Sequence, residues 1–145
     1  MRSIADANVL FPLLCDGHVA RQAAMEWFDR QPVSSVGWCL LTKLAILRHL
    51  TNRRIMGEDV QSPASALKAW DLLENDERLE EADPPPASHE GLFRSFVTRR
   101  EPDPNRWTDA WLAALAETSE REMVTFDRGF LDFPITRLRI LRAQP

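Results

Sequence analysis

The sequence predicts an α/β fold: a short parallel sheet of about four or five strands with helices on both faces. Three observations carry that expectation. Short apolar runs of strand length alternate with segments of helical period. Two of those runs, Ile4-Ala5-Asp6 and Val124-Thr125-Phe126-Asp127, end in an aspartate. The 145 residues match the commonest size of one domain, so a single unit over 1–145 is expected to bury roughly two-thirds of its unfolded surface. Strands alternating with helices are the pattern of parallel βα units.

In chain order, Arg2-Ser3-Ile4-Ala5 reads as a strand that presents Asp6, with a short helix from near Asn8 and Pro12 close to its start. Ala20, Ala24, Trp27 and Phe28 recur at helical spacing between His18 and Arg30, and Pro32 stops that helix. Val33-Ser34-Ser35-Val36 reads as a second strand. Leu40, Leu44, Leu47 and Leu50 make a helical stripe to about Asn52. Ser62 or Ser65 starts a helix through Leu67, Trp70 and Leu73, ending in the acidic run 74–83, read as a solvated helix end. Pro84-Pro85-Pro86 is a stiff connector. Ser88 caps a helix carrying Leu92, Phe93, Phe96 and Val97. Thr108 is a possible cap for the Ala-rich helix 110–116, with Asp109 in its first turn. Met123 to Phe126 is a β-type run ending at Asp127 and a Gly129 turn, and Leu138 to Leu141 is a last strand.

Composition excludes several classes. With 44% hydrophobic and 28% charged residues, the chain is an ordinary globule. Lys plus Arg is 18 and Asp plus Glu is 22, a formal net charge of −4, so nucleic-acid affinity needs a local basic face. Cys15 and Cys39 are unclustered, which argues against structural zinc and suits a reducing cytoplasm. No stretch approaches the roughly 20 apolar residues of a membrane span, and Asp6 and Asn8 interrupt any leader-like run. Without a nucleophile elbow, a phosphate-binding glycine loop or a partnered cysteine, protein-nucleophile and nucleotide-cofactor chemistry is unsupported.

What remains is carboxylates. Sites in open parallel sheets form outside the carboxyl ends of the strands, so Asp6 and Asp127 are expected at one edge. Asp109 has small neighbours, Ala113 and Ala116, that let its helix approach the sheet. Three carboxylates in one cleft repel one another, and a hard divalent cation, Mg²⁺ or Mn²⁺, is the natural counter-charge. Taken singly, each also has a plain reading, as a dipole-complementing helix residue or a turn former.

Four segments together resemble one family. Ser-Ile-Ala-Asp6-Ala-Asn8-Val-Leu, Leu-Thr-Lys43-Leu-Ala-Ile-Leu-Arg48-His-Leu-Thr-Asn52, Arg106-Trp-Thr-Asp109-Ala-Trp-Leu-Ala-Ala-Leu-Ala and Thr-Phe-Asp127-Arg-Gly-Phe130 are similar to PIN domains. The closest resemblance is to the VapC toxins of bacterial toxin–antitoxin pairs. The resemblance implies a PIN-like fold, a Mg²⁺- or Mn²⁺-dependent endoribonuclease working through metal-activated water, a homodimer, and a VapB-like antitoxin that occludes the cleft. By motif match it gives Asp6, Asp109 and Asp127 the metal-binding and catalytic positions and makes Asn8 and Thr125 supporting residues. Nothing in the motifs separates RNA from DNA, and the resemblance alone favours RNA.

Lys43 departs from the family, many members of which carry an acid there. Two accounts compete. Lys43 pairs with Asp6 or Asp109 and partly replaces a cation, the account favoured here, leaving a catalytically weakened binding or regulatory module. Alternatively its stem snorkels and the ammonium reaches substrate phosphate. Arg48, Arg53, Arg54, Arg99, Arg100, Arg106 and Arg128 are candidates for a basic rim, with Arg48, Arg106 and Arg128 the substrate-binding candidates. His18, His49 and His89 show no metal or triad spacing. The tryptophans read mostly as core or interface anchors. Phe11, Leu13 and Leu14 with the Trp70 helix are candidates for a dimer face or an antitoxin groove that accepts an amphipathic helix.

Overall fold

The computed structural model describes residues 1–98 and 101–143. Five strands, β1 (Ser3–Ala5), β2 (Val36–Trp38), β3 (Leu79–Glu81), β4 (Glu122–Thr125) and β5 (Leu138–Ile140), form one sheet in the order β3-β2-β1-β4-β5. Every pairing is parallel. The helices are α1 (Ala7–Leu10), α2 (Arg21–Phe28), α3 (Leu40–Leu50), α4 (Arg53–Met56), α5 (Pro63–Glu74), α6 (His89–Thr98) and α7 (Arg106–Thr118).

β1 lies at the centre, with Ile4 opposite Met123 and Ala5 opposite Val124 on β4. That register sets Asp6 and Asp127 at the same carboxyl edge although the chain is nearly complete between them. β1 is buried at every position, as expected where helices cover both faces of a parallel sheet. Successive residues face opposite sides, and the two cores record it. Ala5 and Val124 pack with Val9, Leu10, Trp38, Ile46, Leu50 and Trp70. Ile4 and Met123 pack with Phe96, Phe130, Phe133 and the buried run Ala110 and Leu112–Ala116 of α7. Alanines make that run thin enough for α7 to lie close against the sheet.

Several expected boundaries move. β2 begins at Val36, not Val33, because Ser34 takes a left-handed turn at φ 53°. The acidic run is not one solvated helix end: α5 stops at Glu74 and Leu79–Glu81 adds an edge strand. On α3 the buried positions are Thr42, Ile46 and Leu50, while Leu40 and Leu44 of the expected stripe are exposed. α2 starts at Arg21 rather than His18, whose Nδ1 accepts from the Ala20 N–H. Asn105, not Thr108, precedes the first residue of α7. Ser62 caps α5 by accepting from the Ser65 N–H, with Pro63 following it. Phe11 is a core residue, and on the helix considered for a partner face Trp70 is buried while Leu67 and Leu72 are exposed, as is Trp107 on α7. Among the described residues no helix is long and apolar enough to cross a membrane.

Candidate active site

Thr125, the last residue of β4, organises the carboxyl edge. Its fully buried hydroxyl donates to Asp6 Oδ2 at 2.8 Å and accepts from the Asp127 N–H at 3.0 Å and from Asn8 Nδ2 at 3.2 Å. One donor and two lone pairs are thereby all used. Asn8 closes the frame by accepting at Oδ1 from the Phe126 N–H at 3.1 Å. Asp6 Oδ1 accepts from the Ala7 N–H at 2.7 Å, capping α1. Asp127 Oδ1 accepts from the Gly129 N–H at 2.8 Å, capping the 3₁₀ turn that follows. Both aspartates are thus cap residues and site candidates at once.

Asp109, in the first turn of α7, completes the group. Its carboxyl is pushed up to about 6, by burial first and then by the charges of Asp6 and Asp127, with Arg106 acting in the opposite sense. Burial also raises Asp6, against the hydrogen bonds from Thr125 and Ala7, and the Asp127 charge adds to the rise. The three carboxylates therefore sense one another, and positive charge between them relieves the strain. Their all-oxygen chemistry suits a hard cation. Among the described residues no three His, Cys, Asp or Glu side chains already stand at the mutual spacing of a closed metal cage.

Arg106, a substrate-binding candidate, is committed within the fold. It donates to the Gly129 carbonyl at 3.1 Å and to Asp132 Oδ2 at 3.2 Å, and lies 3.9 Å from Asp109 Oδ2. Its role in this state is counter-charge. Arg128 is exposed directly after Asp127, and Arg48 is exposed on α3; neither pairs with a carboxylate among the described residues. Arg53 and Arg54 are exposed on α4, and Arg99 and Arg100 lie outside the described residues.

Lys43 does not form the pairing expected with Asp6 or Asp109. Its ammonium lies 5.7 Å from the centroid of the Trp70 ring, and among the described residues it makes no ion pair. Trp70 stands edge-on to Trp38 in the core, so α5 offers the charge an aromatic face. The histidines hold a further surprise. Phe11 is edge-on to both His18 and His49, with ring centroids 5.6 and 5.3 Å apart. No spacing rule links these residues, and only the fold brings them together.

With this geometry in view, comparison with known proteins is decisive. The chain matches the PIN domain family over residues 4–135, nearly its whole length, and belongs to that family. It is 34% identical over 142 residues to Ribonuclease VapC41 of Mycobacterium tuberculosis, covering 95% of this chain and 97% of that protein. It is 30% identical to Ribonuclease VapC44 of the same organism, covering 89% and 88%. Among solved structures, VapBC2 from Rickettsia felis, bound to a DNA fragment from its promoter, shares the fold. There the TM-score is 0.68 at 13% identity, over 98% of this chain and 100% of that one.

Proposed function

We propose that the chain is a VapC-type endoribonuclease, a toxin that hydrolyses RNA phosphodiesters with Mg²⁺ or Mn²⁺ held by Asp6, Asp109 and Asp127. The observation that carries the reading is the frame in which the Thr125 hydroxyl joins Asp6 Oδ2 to the Asp127 N–H, with Asp109 close enough for both charges and burial to push its carboxyl up to about 6. A divalent cation bound there supplies charge compensation and an activated water. The chain's own residues do the rest. Thr125 holds Asp6 Oδ2 and the Asp127 backbone in one frame, and Asn8 fixes Thr125 in turn. Arg106, 3.9 Å from Asp109 Oδ2, supplies partial counter-charge, and Arg128 and Arg48 offer exposed positive charge to phosphates. The 34% identity to Ribonuclease VapC41 supports RNA as the substrate, and the VapBC2 complex supports a VapB-like antitoxin as the partner. A homodimer, one PIN domain spanning 1–145, and a cytoplasmic setting belong to the same reading.

The test is purified chain incubated with RNA and DNA panels in Mn²⁺, Mg²⁺ or EDTA, beside Asp6→Asn and Asp109→Asn. RNA cleavage that EDTA and both substitutions abolish is expected. Cleavage of DNA alone, or RNA cleavage unaffected by either substitution, overturns the reading.

A further inference from the structure

A cavity of about 570 Å³ opens beside the carboxylates, and the carboxylate chemistry makes no use of it. Its walls come from Phe11, His18 and His49 on one side and from Phe126, Ile140 and Leu141 on the other. It shares Asn8 with the carboxylate frame, and Phe126 directly precedes Asp127. The cavity therefore begins where the carboxylates end. It also lies past the last residues of β4 and β5, the side of a parallel sheet on which ligands collect.

Its lining is mainly apolar and aromatic, and its rings are braced. Phe11 is buried and stands edge-on to both imidazoles, at interplanar angles of 86° and 80°. Two guanidinium groups, Arg128 and Arg142, border the opening, and neither makes an ion pair among the described residues. An apolar slot of this size, with braced rings inside and free cations at the lip, matches a flat aromatic group joined to an anionic chain. Bases stack on such walls whatever their sequence, while flanking phosphates take the cations. A peptide backbone matches it less well, because each residue brings a donor and an acceptor that an apolar wall leaves unsatisfied.

We propose that this cavity is a nucleobase subsite, holding one base of the RNA strand next to the scissile phosphate while Arg128 and Arg142 engage the phosphates on either side. The subsite rests on the ribonuclease reading and deepens it, since it supplies the chain's means of gripping the strand at the cut. Burial lowers the His49 pKa, with the Arg48 charge adding to the effect. That favours a neutral ring at physiological pH, able to meet a base without adding charge to the slot.

The test uses the full chain purified free of partner. Total bacterial RNA is cut in Mn²⁺, the cleavage site is mapped by end sequencing, and a short synthetic RNA spanning it is prepared with single abasic positions. Binding of the fluorescein-labelled oligonucleotide is followed by anisotropy in Asp127→Asn background, with His49→Ala and Arg142→Ala added singly and melting curves confirming the fold. Removing one base beside the cut is expected to weaken binding on the order of tenfold or more. His49→Ala is expected to erase the difference between intact and abasic RNA, and Arg142→Ala to weaken both equally. If the chain cuts RNA but abasic positions and both substitutions change nothing, the subsite falls and the ribonuclease reading stands. If both substitutions spare RNA binding but weaken capture of a cognate antitoxin added separately to the purified chain, the cavity belongs to the protein partner and the proposal is overturned. If the chain neither cuts nor binds RNA, both readings fall together.

Discussion

Arg121, the residue before β4, reaches across two strands to Glu80 on β3. Its Nη2 donates to Glu80 Oε1 at 2.8 Å, while Nη1 donates to the Ser3 carbonyl of β1 at 3.0 Å. The guanidinium is buried, and it passes under β2 where that strand has no side chain, at Gly37. A Cβ built on Gly37 meets Arg121 Nη1 at 2.6 Å and the Ser3 oxygen at 2.7 Å. Burial opposes the Glu80 charge, yet hydrogen bonds from Arg2 and Arg121 outweigh it and hold the carboxyl below its ordinary value. Two arginines on one carboxylate thus tie the edge strand to the centre.

Gly37→Ala is therefore expected to destabilise the fold by about 2–3 kcal/mol, the cost of overpacking a close-packed site. Arg121→Ala in the same chain is not expected to rescue it, because the Ser3 carbonyl still blocks the methyl. Urea melts of the single and double variants check both statements, and full rescue would show that the side chain alone sets the limit.

Thr125→Val keeps the shape of the side chain and removes the hydroxyl that links Asp6, Asn8 and Asp127. Groups that orient metal ligands typically cost 10–100-fold in affinity or activity when lost. A drop of that size is expected in Mn²⁺ affinity by calorimetry and in RNA cleavage, with a stability loss of about 1–3 kcal/mol for the unpaired partners. Unchanged Mn²⁺ affinity would remove Thr125 from the site.

Asp109 supplies a pH dependence with a definite sign. Its native pKa of about 6 lies above the ordinary 3.8, so the native state holds more protons between those values. The stability this contributes is present below about pH 4 and is lost as pH rises through 6. Asp109→Asn mimics the protonated form. Without metal, the variant is expected to match the parent near pH 4 and to exceed it at pH 7.5, by on the order of 1 kcal/mol. Melting temperatures across that range measure the difference, and a gap independent of pH would contradict the coupling.

Lys43→Ala is expected to leave Mn²⁺ affinity within about twofold of the parent and to cost about 0.5–2 kcal/mol of stability, the usual range for a cation–π contact on a buried ring. The basis is that Lys43 faces Trp70 and pairs with no carboxylate among the described residues. Calorimetry on the two proteins decides. A large gain in affinity would restore the view that this lysine substitutes for a cation.

The candidate carboxylates were more legible in the sequence than the sheet that brings them to one edge. Asp6 and Asp127 end apolar runs, and Asp109 opens an alanine-rich helix, so each left a local trace. β3 left none. Only Leu79 is buried there, and Glu80 is drawn in by two arginines distant in sequence. Gly37 sits mid-strand in β2, where Arg121 and Ser3 leave no room for a Cβ, and nothing local in the sequence marks that close approach. The cavity beside the carboxylates escaped for the same reason: His18 and His49 belong to different elements and meet only through Phe11.

The hydrogen bond between Thr125 and Asp6 joins residues 119 apart. On a ribosome adding about 5–20 residues per second, the second partner follows the first by roughly 6–24 seconds. Throughout that interval β1 lacks β4, and Asp6 has neither its hydroxyl partner nor the neighbouring Asp127. The carboxylate frame is therefore incomplete until the final seventh of the chain emerges, and a premature stop anywhere before residue 125 leaves Asp6 without its hydroxyl partner. Completion of the site is thus tied to synthesis of β4 and follows that of β1 by the whole length of chain between them.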